Sequence, residues 1–103
     1  MFATKLCFQL VGANYVLIDP LEVLFLEADR QVCNINLTDG SRMVAVRHLG
    51  YYKKELLQTF QFLELSKSHM VNAAHVVKYS PRDRVVQLSS GHSLPVAKSR
   101  QEY

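Results

Sequence analysis

Residues 63–79 read LELSKSHMVNAAHVVKY, and within them Ser66, Lys67 and Ser68 stand together between Leu65 and an apolar run. An ammonium group flanked by two hydroxyls can grip an anion through its charge and its O–H donors. The same triplet also suits a solvated turn between two strands, so residue type alone leaves both readings open. Other chemistries are poorly supported. Cys7, Cys33, His48, His69, His75 and His92 are the candidate metal ligands, but they do not combine a C-x₂-C pair with an H-x₃₋₅-H pair as a zinc site does. His69 and His75 have five residues between them and no cysteine pair nearby. No G-x-S-x-G is present, and Ser90-Gly91-His92 reads as a hairpin turn rather than a nucleophile with its base. Glu27 and Asp29 share a strand face but close that strand. The four glycines are scattered singly, so no phosphate-cradling loop exists. The expectation is a protein that is not an enzyme, with no cofactor, no metal and no small-molecule substrate.

The elements that would have to position the triplet follow from the pattern of polarity. The chain has 103 residues, enough for one domain, and at 49% hydrophobic and 20% charged it can bury a core. No apolar run approaches the roughly 20 residues that a membrane-spanning helix needs. The start, MFATKLCFQLVG, alternates in polarity and offers no cleavage site after an apolar block, so no secretory signal is read there. Cys7 and Cys33 lie in apolar strands without a close partner. They are expected to be free buried thiols in a cytoplasmic protein.

Period-two alternation dominates, as in KLCFQL, NYVLI, QVCNINL and RMVAVR, with EVLFLEA apolar enough to be buried on both faces. Gly12-Ala13 and Asp39-Gly40 mark tight turns. Pro20 ends one strand or opens the next. Only residues 48–60 change period. Leu49, Tyr52, Leu56 and Phe60 fall on one helical face there, and Gly50 weakens that helix. Strands resume in FQFLEL, HVVKYS, RVVQLSS and HSLPVAK, separated late in the chain by SPRDR and SSGH. Asn72 is read as a structural turn or cap, and His69 and His75 as partly buried strand residues. The fold class expected is mostly β, about ten short strands in small layered antiparallel sheets with one short helix.

Charge is uneven along this chain. Residues 1–66 hold six Lys/Arg against seven Asp/Glu, whereas residues 67–103 hold six against two, so the basic character (+4 against −1) belongs to the C-terminal third. That is a possible footprint for a polyanion, or simply a solvated face. The sequence lacks the exposed aromatics of an RNA-binding sheet and any long basic recognition helix. A domain of this kind would have to read DNA from loops and strand ends.

Three pieces in order carry a family resemblance: PLEVLFLEAD (20–29), LSKSHMVNAAHV (65–76) and LPVAKSR (94–100). With TDG and the short helix between them, they resemble the LytTR family of bacterial DNA-binding output domains over about residues 18–102. The resemblance implies small antiparallel sheets in layers, duplex DNA as partner, a role in transcription regulation in response-regulator (two-component) systems, and loops inserted into successive major grooves. Two copies on repeated sites, or a homodimer, are expected because one small domain rarely gives specific affinity alone. Carried across residue by residue, the family's contacts fall on Arg30 and Gln31, on Ser66, Lys67 and Ser68, and on Lys98 with Arg100 nearby. Arg30 or Lys98 could reach guanine O6 and N7 and Gln31 could pair with adenine, while Lys78, Arg82, Arg84 and Arg100 could contact phosphates.

The departures from the family pattern are Glu64 where a cation often stands, Ser66 for His, Lys67 for Arg, and Ala97-Lys98 for Ser-Arg. Lysine lacks the bidentate fork of arginine. The alternative reading is therefore a protein-interaction module on the same fold that has lost sequence reading and acts as an antagonist or docking domain.

Overall fold

The computed structural model describes residues 5–12 and 14–98. Among these, ten strands form three antiparallel sheets: β1 (Leu6–Gln9) with β2 (Tyr15–Ile18); a five-stranded sheet of order β5-β4-β3-β7-β6; and a three-stranded sheet of order β10-β9-β8. The five-stranded sheet comprises β3 (Val23–Asp29), β4 (Val32–Leu37), β5 (Arg42–Ala45), β6 (Phe62–Ser66) and β7 (His69–Asn72). The three-stranded sheet comprises β8 (Val76–Ser80), β9 (Val85–Leu88) and β10 (Ser93–Pro95). One helix, α1 (Leu49–Gln58), follows β5. No helix among the described residues is long and apolar enough to cross a membrane.

Two cores sit on opposite faces of the five-stranded sheet. On one face Val23, Leu26, Cys33, Ile35 and Met70 pack against Leu6, Phe8 and Ile18 of the first hairpin and Leu49, Tyr52 and Leu56 of α1. On the other, Leu24, Phe25, Leu65 and Val71 pack against Val86, Leu88 and Leu94 of the three-stranded sheet and against Val96 just beyond it. This layering explains why the first four residues of β3, Val23, Leu24, Phe25 and Leu26, are all apolar and buried. A bulge between Val23 and Phe25 sends two consecutive side chains, Leu24 and Phe25, to the same face.

The helix is shorter than the periodicity suggests, because Phe60 packs on the first core from beyond its end. His48 caps it, with Nδ1 accepting the Tyr51 N–H at 3.2 Å. A Cβ at Gly50 would meet the His48 ring at 3.1 Å, so the glycine that weakens the helix leaves room for its cap. Pro20 opens a 3₁₀ turn, Pro20–Glu22, whose first free N–H, that of Leu21, is accepted by Asp19. Asn72 is the cap expected of it. Its carbonyl oxygen accepts from the Ala74 N–H, and its amide donates to the carbonyls of Pro20 and Val23 at 2.8 and 3.0 Å. His75 departs from expectation: it closes the 3₁₀ turn Ala73–His75 rather than lying in a strand. The expectation of two buried thiols holds for Cys33 and fails for Cys7. Cys7 projects outward from β1 between the buried Leu6 and Phe8, on the polar side of the alternation. Ala13 lies outside the described residues, while Gly12 beside it has the positive φ (100°) of a tight turn.

Candidate nucleic-acid interface

Strand pairing decides where the charged loops go. β3 and β4 are joined by Arg30 and Gln31 alone, with Asp29 opposite Val32. The turns favoured in a two-residue hairpin place positive φ within the loop, and Arg30 supplies it at 62°. For an L-residue with a Cβ that conformation costs roughly 1–2 kcal/mol. Glycine or asparagine would be the cheaper occupant, yet the tip carries an exposed guanidinium.

The hairpin of β6 and β7 turns just as tightly through Lys67 and Ser68, with Ser66 opposite His69. Ser66 is half-buried and shapes the turn, its Oγ accepting the Ser68 N–H at 3.1 Å. Lys67 and Ser68 are exposed. The triplet is thus a turn in form, with its cation at the tip.

β3 and β7 are antiparallel neighbours, Glu27 facing His69, so the end of β3 lies beside the start of β7. The Ala28 N–H donates to the Ser68 carbonyl at 2.8 Å, which joins the two hairpins at their loop ends. The Glu27 carboxylate also lies 3.3 Å from His69 Nε2 across the same pair of strands. On the far side of β6, the Ala97 N–H donates to the Leu65 carbonyl at 2.8 Å. That bond sets Lys98, exposed, beside the same end of the sheet. Arg30, Gln31, Ser66, Lys67, Ser68 and Lys98 therefore gather at one end of the five-stranded sheet. Arg100 lies outside the described residues.

Three cations, Arg30, Lys67 and Lys98, and two acids, Glu27 and Asp29, stand at this end. Among the described residues no ion pair engages Arg30, Lys67 or Lys98. Glu64, the acid that breaks the sequence motif, does not reach it. Phe62 and Glu64 share one face of β6, and Phe62 packs in the core that includes α1. Glu64 is buried on that side, with Lys53 Nζ of the helix 2.5 Å from its Oε2. Its charge is compensated inside the protein rather than displayed beside Lys67. Asp29 remains as the exposed acid of the Arg30 turn.

Of the further cations named from the sequence, Lys78 lies mid-strand opposite Gln87. Arg82 and Arg84 occupy the β8–β9 turn, both exposed. Arg84 has φ 52°. That departure from ordinary backbone had no signal in the sequence, since no glycine marks the position. No group of three or more potential metal ligands occurs among the described residues.

A family model described as "LytTr DNA-binding domain" matches residues 13–103. No curated protein matches. Among solved structures, the chain is similar to the LytTr DNA-binding domain of a Bacillus cereus protein described as a response regulator. The TM-score is 0.79 at 17% identity, covering 99% of this chain and 94% of that one. At that identity the likeness shows the fold, with its small antiparallel sheets in layers. The family match covers most of the chain: this protein belongs to the LytTr DNA-binding domain family.

Proposed function

We propose that this chain is a single domain that reads duplex DNA sequence as part of a transcriptional regulator, by inserting turn tips into successive major grooves. The observation that carries the reading is the pair of backbone hydrogen bonds, Ala28 to Ser68 and Ala97 to Leu65, which gather three separate basic segments at one end of the sheet. Arg30 offers a fork that matches guanine O6 and N7, and Gln31 can pair with adenine N6 and N7. Lys67 and Lys98 bring point charges suited to acceptor-rich edges and phosphates, with Ser66 and Ser68 as hydroxyl donors. Arg100 follows two residues after Lys98 in the chain. Two copies on repeated sites would supply the affinity one small domain lacks. With Glu64 turned inward and held by Lys53, the anion that motivated a protein-docking alternative is absent from the surface that would meet DNA.

The test is selection from a pool of random duplexes across a salt series, with Lys67→Ala alongside. The expected result is enrichment of a short repeated motif, bound more weakly by the variant. Failure of the unaltered chain to bind any duplex at low salt would overturn the proposal.

A further inference from the structure

Arg84 sits one backbone step beyond the tips described above. The Val96 N–H donates to the Arg84 carbonyl at 2.9 Å, and the next amide, that of Ala97, donates to Leu65. Residues 96–97 thereby tie the β8–β9 turn to the loop end of β6. The series of exposed cations at this end continues from Arg30 through Lys67 and Lys98 to Arg84.

Two observations separate Arg84 from an ordinary solvated turn residue. Arg30 and Arg84 are the two described non-glycine residues with positive φ. Elsewhere the chain meets that demand with glycine, at Gly12, Gly40 and Gly91. Only at this end does it accept the strain, and both times the residue is arginine. A strained backbone retained at an exposed tip is a pointer to function. In addition, no ion pair among the described residues engages Arg84. Its neighbour Asp83 is oriented by the Ser80 hydroxyl, which donates to it at 3.3 Å.

We propose that Arg84 grips a backbone phosphate of the duplex and positions the domain without reading sequence. This rests on the DNA-binding reading above. Phosphate is favoured over a base by the layering of the fold. Arg30 and Lys67 are carried by the five-stranded sheet, whereas Arg84 belongs to the three-stranded sheet packed on its face. Stacked sheets lie about 10 Å apart. A major groove is about 12 Å wide, so its half-width is about 6 Å. When the five-stranded sheet centres its tips in the groove, a tip set off to one side by a full layer overlies the bordering sugar–phosphate ridge. A guanidinium there meets a phosphate with two parallel N–H donors.

The experiment titrates the full chain, Arg84→Asn and Arg84→Lys against two duplexes, one selected from the random pool and one unrelated, over a salt series. Asparagine tolerates positive φ, so the first variant keeps the turn. One lost phosphate contact lowers the slope of log affinity against log salt by about 0.9, which at 0.1 M salt is about eightfold in affinity. Arg84→Asn should therefore weaken both duplexes by the same factor, about eightfold, and leave the selected motif unchanged. Arg84→Lys should keep the slope. An unchanged slope in Arg84→Asn, while the unaltered chain binds normally, would overturn the role of Arg84 alone. A changed motif would overturn it too, by making Arg84 a base reader. Absence of binding by the unaltered chain would remove the DNA reading and this inference with it.

Discussion

Replacing Arg30 by glycine should make the protein more stable and a worse DNA binder at once. Arg30 holds φ 62° at the tip of the β3–β4 hairpin, a conformation that costs a residue with a Cβ roughly 1–2 kcal/mol. Glycine removes that strain but gives the unfolded chain more freedom, worth roughly 0.5–1 kcal/mol against folding. The two ranges leave a net gain of about 0–1.5 kcal/mol, with a mid-value of about 0.75 kcal/mol. In a domain of this size 1 kcal/mol moves Tm by about 4–8 °C, so at the mid-value Arg30→Gly should melt about 3–6 °C higher. On the proposed reading the same change deletes a bidentate base contact worth about 1–3 kcal/mol, a loss of roughly 5- to 150-fold for the selected duplex. Thermal unfolding by circular dichroism and titration of the selected duplex read the two effects separately. A Tm that falls by more than about 2 °C would refute the strain argument, since it would mean the side chain contributes more to the fold than its backbone costs. A Tm that rises while affinity for the selected duplex stays unchanged would refute the role of Arg30 as a reader.

Two further predictions concern the scaffold. Asn72→Ala removes one acceptor and two donors from a buried site, leaving the carbonyls of Pro20 and Val23 without that partner. Chemical denaturation should show a loss of about 2–4 kcal/mol, and a loss under about 0.5 kcal/mol would mean the three bonds do little. Thiol labelling should distinguish the two cysteines. Cys7 is exposed, while burial pushes the Cys33 thiol up to about 12, so one thiol should react at pH 8 in the native protein and two after denaturation.

Much of the architecture was legible because strands and turns are local. Alternation in KLCFQL and QVCNINL marks strands, Asp39-Gly40 marks its hairpin, and the one shift of period marks α1. Boundaries moved where tertiary contacts intervened, as when Phe60 left the helix and His48 became its cap. Cys7 departs from expectation because its chemical type is apolar while its register position is outward. The site was legible only in part. Lys67 stands out by residue type within its triplet, whereas Lys98 enters only through the family resemblance; their gathering with Arg30 depends on β3 pairing with β7 and on residue 97 bonding to Leu65. No local pattern encodes pairings over such separations. Nor does residue type say that Glu64 faces the helix, because the register of β6 decides it.

The two residue types at this end differ in a way that bears on specificity. Positive φ is tolerated where the tip holds arginine, at positions 30 and 84, while the Lys67 turn is built without a left-handed residue among its members. Arginine can discriminate a base through two fixed donors, and lysine mainly adds charge. On the proposed reading, then, discrimination concentrates in the Arg30–Gln31 turn, and Lys67 and Lys98 contribute affinity that depends on salt more than on sequence. The selected motif should be sharply defined at the bases under the first turn and degenerate under the other two. This asymmetry follows from the fold as well as the residues. The two hairpin tips are fixed relative to each other by the Ala28–Ser68 bond, so one well-read turn suffices to set the register of the whole series of cations.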